Sequence, residues 1–239
     1  NKLQQLAKIN HQIAKFTSRI VANNQAFLVL SGEHSSAMGS WAGAQNGLTK
    51  HSAKAKLGLI WLDAHLDAHT LHSSPSGNFH GMPVSALLGK AEPELLHAYP
   101  SNFFFSAETL LLYGIRSFEK SEKQLINDLN VKFYSYNKSP EQYKKTALFL
   151  HKSQQLIKQC DAIGISLDLD IVDPAYAPAV ETDVAGGVTI DELMEILSII
   201  KNSAEDKFIG LEITEFNPIR EINHKTEKLI LQIISKIFS

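Results

Sequence analysis

Residues 57–62, Leu-Gly-Leu-Ile-Trp-Leu, form a short apolar run that ends abruptly in Asp63, His65 and Asp67. A run of that length without polar alternation fits a strand covered on both faces, as in parallel sheets packed between helices. In an extended chain positions i, i+2 and i+4 point to one side, so the three polar groups are expected to converge just past the strand. Two carboxylates and an imidazole make poor core material and good ligands for a divalent cation.

The same strand pattern recurs at 26–30, 110–115, 131–136, 162–169 and 208–214, the last delivering Glu215. Helical periodicity fills the spaces between. Leu3, Leu6, Ile9, Ile13, Phe16 and Ile20 keep the 3–4 spacing of an amphipathic helix with that stripe as its buried face. Residues 31–36 read as a strand-to-helix turn, 83–88 as a short helix and 141–159 as a longer one. Ser121 and Gln124 stand at capping-box spacing ahead of a helix over 121–130. Thr189 and Glu192 do the same before Leu193, Ile196, Leu197 and Ile200, and 227–238 forms a helical tail. Pro75 and Gly77 break the polar segment 69–79, Pro174 and Pro178 impose an irregular loop, and 99–103 fits no element. Strands alternating with helices predict one α/β domain over 1–239 with a mainly parallel sheet.

Composition narrows the function. A formal net charge of −2 argues against a polyanion binder, so no nucleic acid is expected as partner. Cys160 is the only cysteine, which excludes a disulfide framework and a thiolate zinc cluster. No apolar run reaches bilayer length and no signal-peptide pattern opens the chain, so a cytoplasmic protein without a membrane partner is expected.

Two further strand ends add polar groups. Asp168 and Asp170 stand two apart after one apolar run, and His34 follows another. Open α/β sheets gather their sites beyond the carboxyl ends of the strands, where these groups can meet. A lone Asp at a strand end is most often a turn or helix cap. Four carboxylates with two imidazoles are not explained that way, because they repel without a counter-charge that paired divalent cations supply. Such cations typically sit roughly 3.5–4 Å apart and acidify a shared water. Oxygen-rich ligation with some imidazole favours Mn²⁺ over structural Zn²⁺.

Trp-Leu-Asp-Ala-His-Leu-Asp (61–67), Gly-Asn-Phe-His-Gly-Met-Pro (77–83), Ser-Leu-Asp-Leu-Asp-Ile-Val-Asp-Pro (166–174) and Glu-Phe-Asn-Pro (215–218) occur in this order. They resemble the signature blocks of the ureohydrolases, which include arginase, agmatinase, guanidinobutyrase and formiminoglutamase. The resemblance implies a three-layer α/β/α sandwich and two Mn²⁺ per subunit, with Co²⁺ or Ni²⁺ as other occupants. It also implies hydrolysis of a small guanidino compound to urea and an amine, in a homotrimer or homohexamer. By this resemblance Asp63 and Asp168 bridge the two metals, His34 and Asp67 complete one, and His65 and Asp170 the other. His80 matches a proton-shuttling histidine and Glu215 a carboxylate that grips the guanidinium; with Asp67 they make the catalytic set.

The outer pocket resembles arginases most. Ser76 and Asn78 match positions that bind an α-carboxylate, Glu119 one that recognises an α-amino group, and Thr182 a neighbour of that end. Ser, Asn and Gly clusters are also ordinary turn chemistry. The sequence departs from the commoner pattern at Glu33 and in the turn 179–182. It departs again at His69, which replaces an asparagine and is expected to contact the carboxylate. The expected activity is L-arginine hydrolysis to L-ornithine and urea. Agmatinase, guanidinobutyrase or formiminoglutamase activity is the alternative, and an idle regulatory subunit the rival of another class. Ureohydrolases open with an additional strand before the helix that here begins near Leu3, so the family's first strand is expected to be lacking.

Overall fold

The computed structural model describes residues 2–96, 104–137, 139 and 141–239. Its strands are β1 (Phe27–Leu30), β2 (Leu57–Leu62), β3 (Leu110–Ile115), β4 (Lys132–Ser135), β5 (Ala162–Asp168) and β6 (Phe208–Thr214). They form one sheet in the order β1-β6-β5-β2-β3-β4 with every pairing parallel. The helices are α1 (Lys2–Ala22), α2 (Ala37–Leu48), α3 (Pro83–Leu87), α4 (Pro93–Leu96), α5 (Lys120–Asp128), α6 (Gln142–Gln159), α7 (Ile190–Ala204) and α8 (Lys225–Phe238). Of these, α4 was not anticipated, and the stretch 99–103 lies outside the described residues.

All six residues of β2 are buried because helices cover both faces. Leu57, Leu59 and Trp61 enter one apolar layer with Trp41 of α2, Val84 of α3 and Ile126 of α5. Ile60 and Leu62 enter the other with Phe149 of α6, Leu193 of α7 and Ile233 of α8. The period-two alternation of side chains thus divides one apolar run between two cores and makes the three-layer sandwich.

The order of the strands opens a crevice. β2 and β5 are neighbours, but the chain runs from β2 to β3 on one side and from β5 to β6 on the other. Loops leaving such a pair diverge above the carboxyl ends, where open sheets hold their sites.

Three expectations need correction. The buried side chains of α1 include Asn10, Ala14, Thr17 and Val21, whereas Ile9 and Phe16 are 54% and 48% exposed. The cause lies in α2, where Gly39, Gly43 and Gly47 press the backbone against Asn10, Ala14 and Val21, and any Cβ there would collide. Close approach selects small residues, not the widest apolar stripe. Helix α5 starts at Lys120 and its capping box is Glu119 with Glu122, not Ser121 with Gln124; the Glu122 carboxylate accepts from the Glu119 N–H at 2.8 Å. Apart from Asp168, the last residue of β5, the expected ligands lie beyond the strands. β2 stops at Leu62, Asp67 holds a left-handed φ of 49°, and Asp170 sits in a 3-10 turn, Leu169–Ile171. The groups converge through bent backbone, not along extended chain.

Candidate active site

The turns that carry the acids are folded by the acids themselves. The Asp63 carboxylate accepts from the His65 N–H at 2.6 Å, Asp168 from the Asp170 N–H at 2.9 Å, and Asp170 from the Ala64 N–H at 3.0 Å. One oxygen of each side chain is thereby fixed on backbone; the second stays near an imidazole, and in Asp63 it also accepts from Trp61 Nε1.

His34 opens a 3-10 turn, His34–Ser36, after β1. Its Nδ1 lies 3.0 Å from Asp168 Oδ2, 3.2 Å from Asp63 Oδ2 and 3.2 Å from Asp67 Oδ2. His65 Nδ1 lies 2.8 Å from Asp170 Oδ2 and 3.7 Å from Asp63 Oδ1. Two groups capable of holding a cation result on this floor, His34–Asp63–Asp67 and Asp63–His65–Asp170, and Asp63 belongs to both; a third such group, His69–Glu119–Glu122, stands at the rim. His34 Nδ1 and Asp170 Oδ2 are buried and make no hydrogen bond despite these near approaches. Orphaned buried polar atoms are costly, and two in one cluster of acids and imidazoles fit a site built for a cation.

The imidazole of His34 is aimed by the core. Its Nε2 lies 3.1 Å from Ser166 Oγ, and Ser166 donates to Glu212 Oε2 at 3.1 Å. Glu212 also accepts from Ser36 and Ser40 at 2.8 Å and from Trp41 Nε1 at 3.0 Å. Burial pushes Glu212 up from its ordinary value, but four donors fill its lone-pair positions and favour the carboxylate. Since the Ser166 proton is spent on Glu212, Ser166 accepts from His34 Nε2, which turns the Nδ1 lone pair toward the three aspartates. The ring also stacks on Trp61 at 4.1 Å and 11°, and Trp61 Nε1 donates to Asp63 Oδ2 at 2.9 Å.

Electrostatics follow from burial and crowding. Burial, then neighbouring carboxylates, raise Asp67, Asp168 and Asp170 above the usual range. Burial opposes the charge of Asp63, yet His34 and His65 hold its pKa below normal. Burial likewise opposes His65, but Asp170 and Asp63 push it up to about 12. Left to itself the cluster gathers protons, and a set of four carboxylates and two imidazoles suits hard divalent cations in their place.

A cavity of about 200 Å³ rises from this floor. Its lining includes His34, His65, Asp67 and Asp168 below, and His69, Ser76, Asn78, His80, Glu119, Thr182 and Glu215 above. Asp63 and Asp170 lie behind it, 0% and 1% exposed. Every candidate ligand, catalytic and substrate-binding residue named from the sequence therefore lines this crevice or backs its floor. Glu215 follows β6 with a left-handed φ of 64°, and its carboxylate accepts from the His34 N–H at 2.7 Å. Burial lifts it to about 7. His80 lies in a 3-10 turn, Phe79–Gly81, at the cavity wall. Arg116 does not reach in; it ties the loops together by donating to the carbonyls of Asp170 at 2.6 Å and Val184 at 2.7 Å.

Sequence reasoning missed Glu122 and Glu212. A glutamate inside the apolar run 208–214 was a readable sign of a buried acid with partners. Glu122 was hidden by the misplaced capping box.

A parallel α/β sheet whose switch point carries His/Asp groups able to hold paired cations defines the class of protein. The Arginase family matches residues 2–239, and the chain belongs to that family. It is 34% identical to an arginase of Bacillus caldovelox over 99% of this chain and 76% of that one. It is 31% identical to the arginase of Bacillus subtilis (strain 168), over 95% and 74%. The crystal structure of arginase from Bacillus cereus superimposes with a TM-score of 0.88 at 29% identity, covering 99% of this chain and 79% of that one. A formimidoylglutamase structure from Bacillus subtilis, at 20% identity and a TM-score of 0.75 over 95% and 65%, shares the fold.

Proposed function

We propose that this chain is a metal-dependent arginase that hydrolyses L-arginine to L-ornithine and urea. The observation that carries the reading is the meeting of two histidines and four aspartates under a cavity that also holds Glu215 and His80. In this reading two cations would be held by His34, Asp63, His65, Asp67, Asp168 and Asp170, with His34 and Asp67 serving one, His65 and Asp170 the other, and Asp63 and Asp168 serving both. The cations are Mn²⁺, with Co²⁺ or Ni²⁺ able to substitute, and when bound they acidify water and neutralise the acidic floor.

The side chains do the rest. Glu215, held by the His34 N–H, pairs with the guanidinium and fixes its planar carbon over the floor. Water adds to that carbon, the bond to the side-chain nitrogen breaks, and His80 supplies the proton that the departing amine of ornithine takes. Asp67, whose left-handed backbone turns it back into the cleft, accepts a proton from the water as it reacts. Ser76, Asn78, Glu119 and Thr182 receive the amino-acid end. The same reading includes a cytoplasmic trimer or hexamer.

A urea-release assay on L-arginine, agmatine and formiminoglutamate, with Mn²⁺, Co²⁺ and Ni²⁺ added in turn, tests it. Urea from L-arginine foremost is expected, and preference for another guanidine overturns the substrate.

A further inference from the structure

The rim of the cavity is built asymmetrically. His69 is buried and both of its ring nitrogens are engaged. Nδ1 lies 3.2 Å from Ser73 Oγ, while Nε2 lies 3.0 Å from Glu119 Oε2 and 3.4 Å from Glu122 Oε2. Carboxylates only accept, so Nε2 carries a proton and spends it on them. No ring N–H is left for a ligand carboxylate, contrary to the contact expected of this residue.

Glu122 is the anchor of the group, buried and accepting from the N–H groups of Ala68 at 3.0 Å and Glu119 at 2.8 Å. Glu119 is different: its side chain is 58% exposed, lies at the cavity wall, and is held by His69 through one oxygen. Across the mouth, Ser76, Asn78 and Thr182 are neutral, and Ser76 Oγ already accepts from the Asn78 N–H at 3.2 Å. Neither lysine nor arginine lines the cavity among the described residues. A cationic group entering the rim meets a charged partner there, and an anionic one meets only neutral donors. Hydrogen bonds between two charged groups are the stronger kind.

We propose that His69 is a positioning residue that touches no substrate atom and aims the Glu119 carboxylate, so that this chain selects guanidines by an ammonium group more than by a carboxylate. The inference rests on the proposed guanidine hydrolysis and specifies how its substrate is sorted. L-Arginine, with both groups, ranks first. Agmatine keeps an ammonium and ranks second, and 4-guanidinobutanoate, which keeps only the carboxylate, ranks last.

The test compares kcat and KM for these three compounds in the Mn²⁺-loaded protein and in His69→Ala and His69→Gln. His69→Ala is expected to raise KM about tenfold for L-arginine and agmatine with kcat within about twofold, and to leave KM for 4-guanidinobutanoate in place. His69→Gln, which sets an amide N–H near the position of Nε2, recovers most of the loss. A merely structural role lowers kcat for all three alike, which overturns the inference, as does 4-guanidinobutanoate outranking agmatine. If no guanidine releases urea, the proposed hydrolysis fails on its own. Calorimetric titration with agmatine and 4-guanidinobutanoate then decides the inference: tighter agmatine binding, lost in His69→Ala, upholds it, and the reverse order sinks it.

Discussion

The floor and the rim of the cavity are made differently. On the floor, His34, Asp63, Asp168 and Asp170 are almost wholly buried, stand at strand ends or in the first turn beyond, and are hydrogen-bonded to backbone or to core side chains. On the rim, Ser76, Asn78, Glu119 and Thr182 are exposed and stand on loops or at a helix cap. A sheet holds ligands to the tolerance that ion binding demands, while loops change without cost to the core. Chemistry belongs to the floor, and substrate choice to the rim.

That contrast can be broken by substitution. Asp63→Ala removes the carboxylate common to both cation groups. Urea release is expected to fall by more than about a hundredfold, the ceiling for groups that merely support ligands, with metal content reduced by elemental analysis. A loss no larger than that of a rim variant would erase the distinction. Glu212→Ala strands four buried donors beneath His34 and is expected to cost about 3 kcal/mol of stability in denaturant titrations. Trp61→Phe keeps the stack on His34 but loses the N–H to Asp63, so metal affinity should drop about tenfold, together with a lower melting temperature from the cavity that the smaller ring leaves in the core.

Protons sharpen the comparison at the boundary between the two regions. Glu215, lifted by burial to about 7, grips a guanidinium only when ionised. KM for L-arginine should therefore rise about tenfold as pH falls from 8 to 6, by the titration of one group. Stability runs the other way. Because the folded pKa lies above the ordinary 4.5, the native state binds more protons between 4.5 and about 7. The contribution of Glu215 to stability is complete below that window and is lost as pH rises through it. A melting temperature that climbs with pH in Glu215→Gln relative to the parent protein is the expected signature. Thr182→Ala, on the rim, should change KM only a few-fold, about 1 kcal/mol, with kcat preserved.

Much of this is legible in the sequence. Unbroken apolar runs ending in acids marked β2 and β5, because a strand buried on both faces has no use for polar residues until it leaves the sheet. The same reasoning failed on α1, whose widest apolar stripe is partly exposed. Its partner face is dictated by the glycines of α2, and a single helix carries no record of how closely its neighbour approaches. Glu212 stands out as an acid inside an apolar run, but its role, like that of Glu122, is set by donors from distant segments such as Ser36, Trp41, Ser166 and Ala68.

By itself the sequence determined the alternation of strands and helices, the residues able to hold cations and the family, since these depend on local periodicity and on chemical type. Only the tertiary structure decided which face of α1 is buried, how bent turns replace extended chain in bringing Asp67 and Asp170 inward, and where the ring nitrogens of His69 are spent. Those outcomes depend on distances between segments far apart in the chain, and such distances exist only once both layers have closed on the sheet.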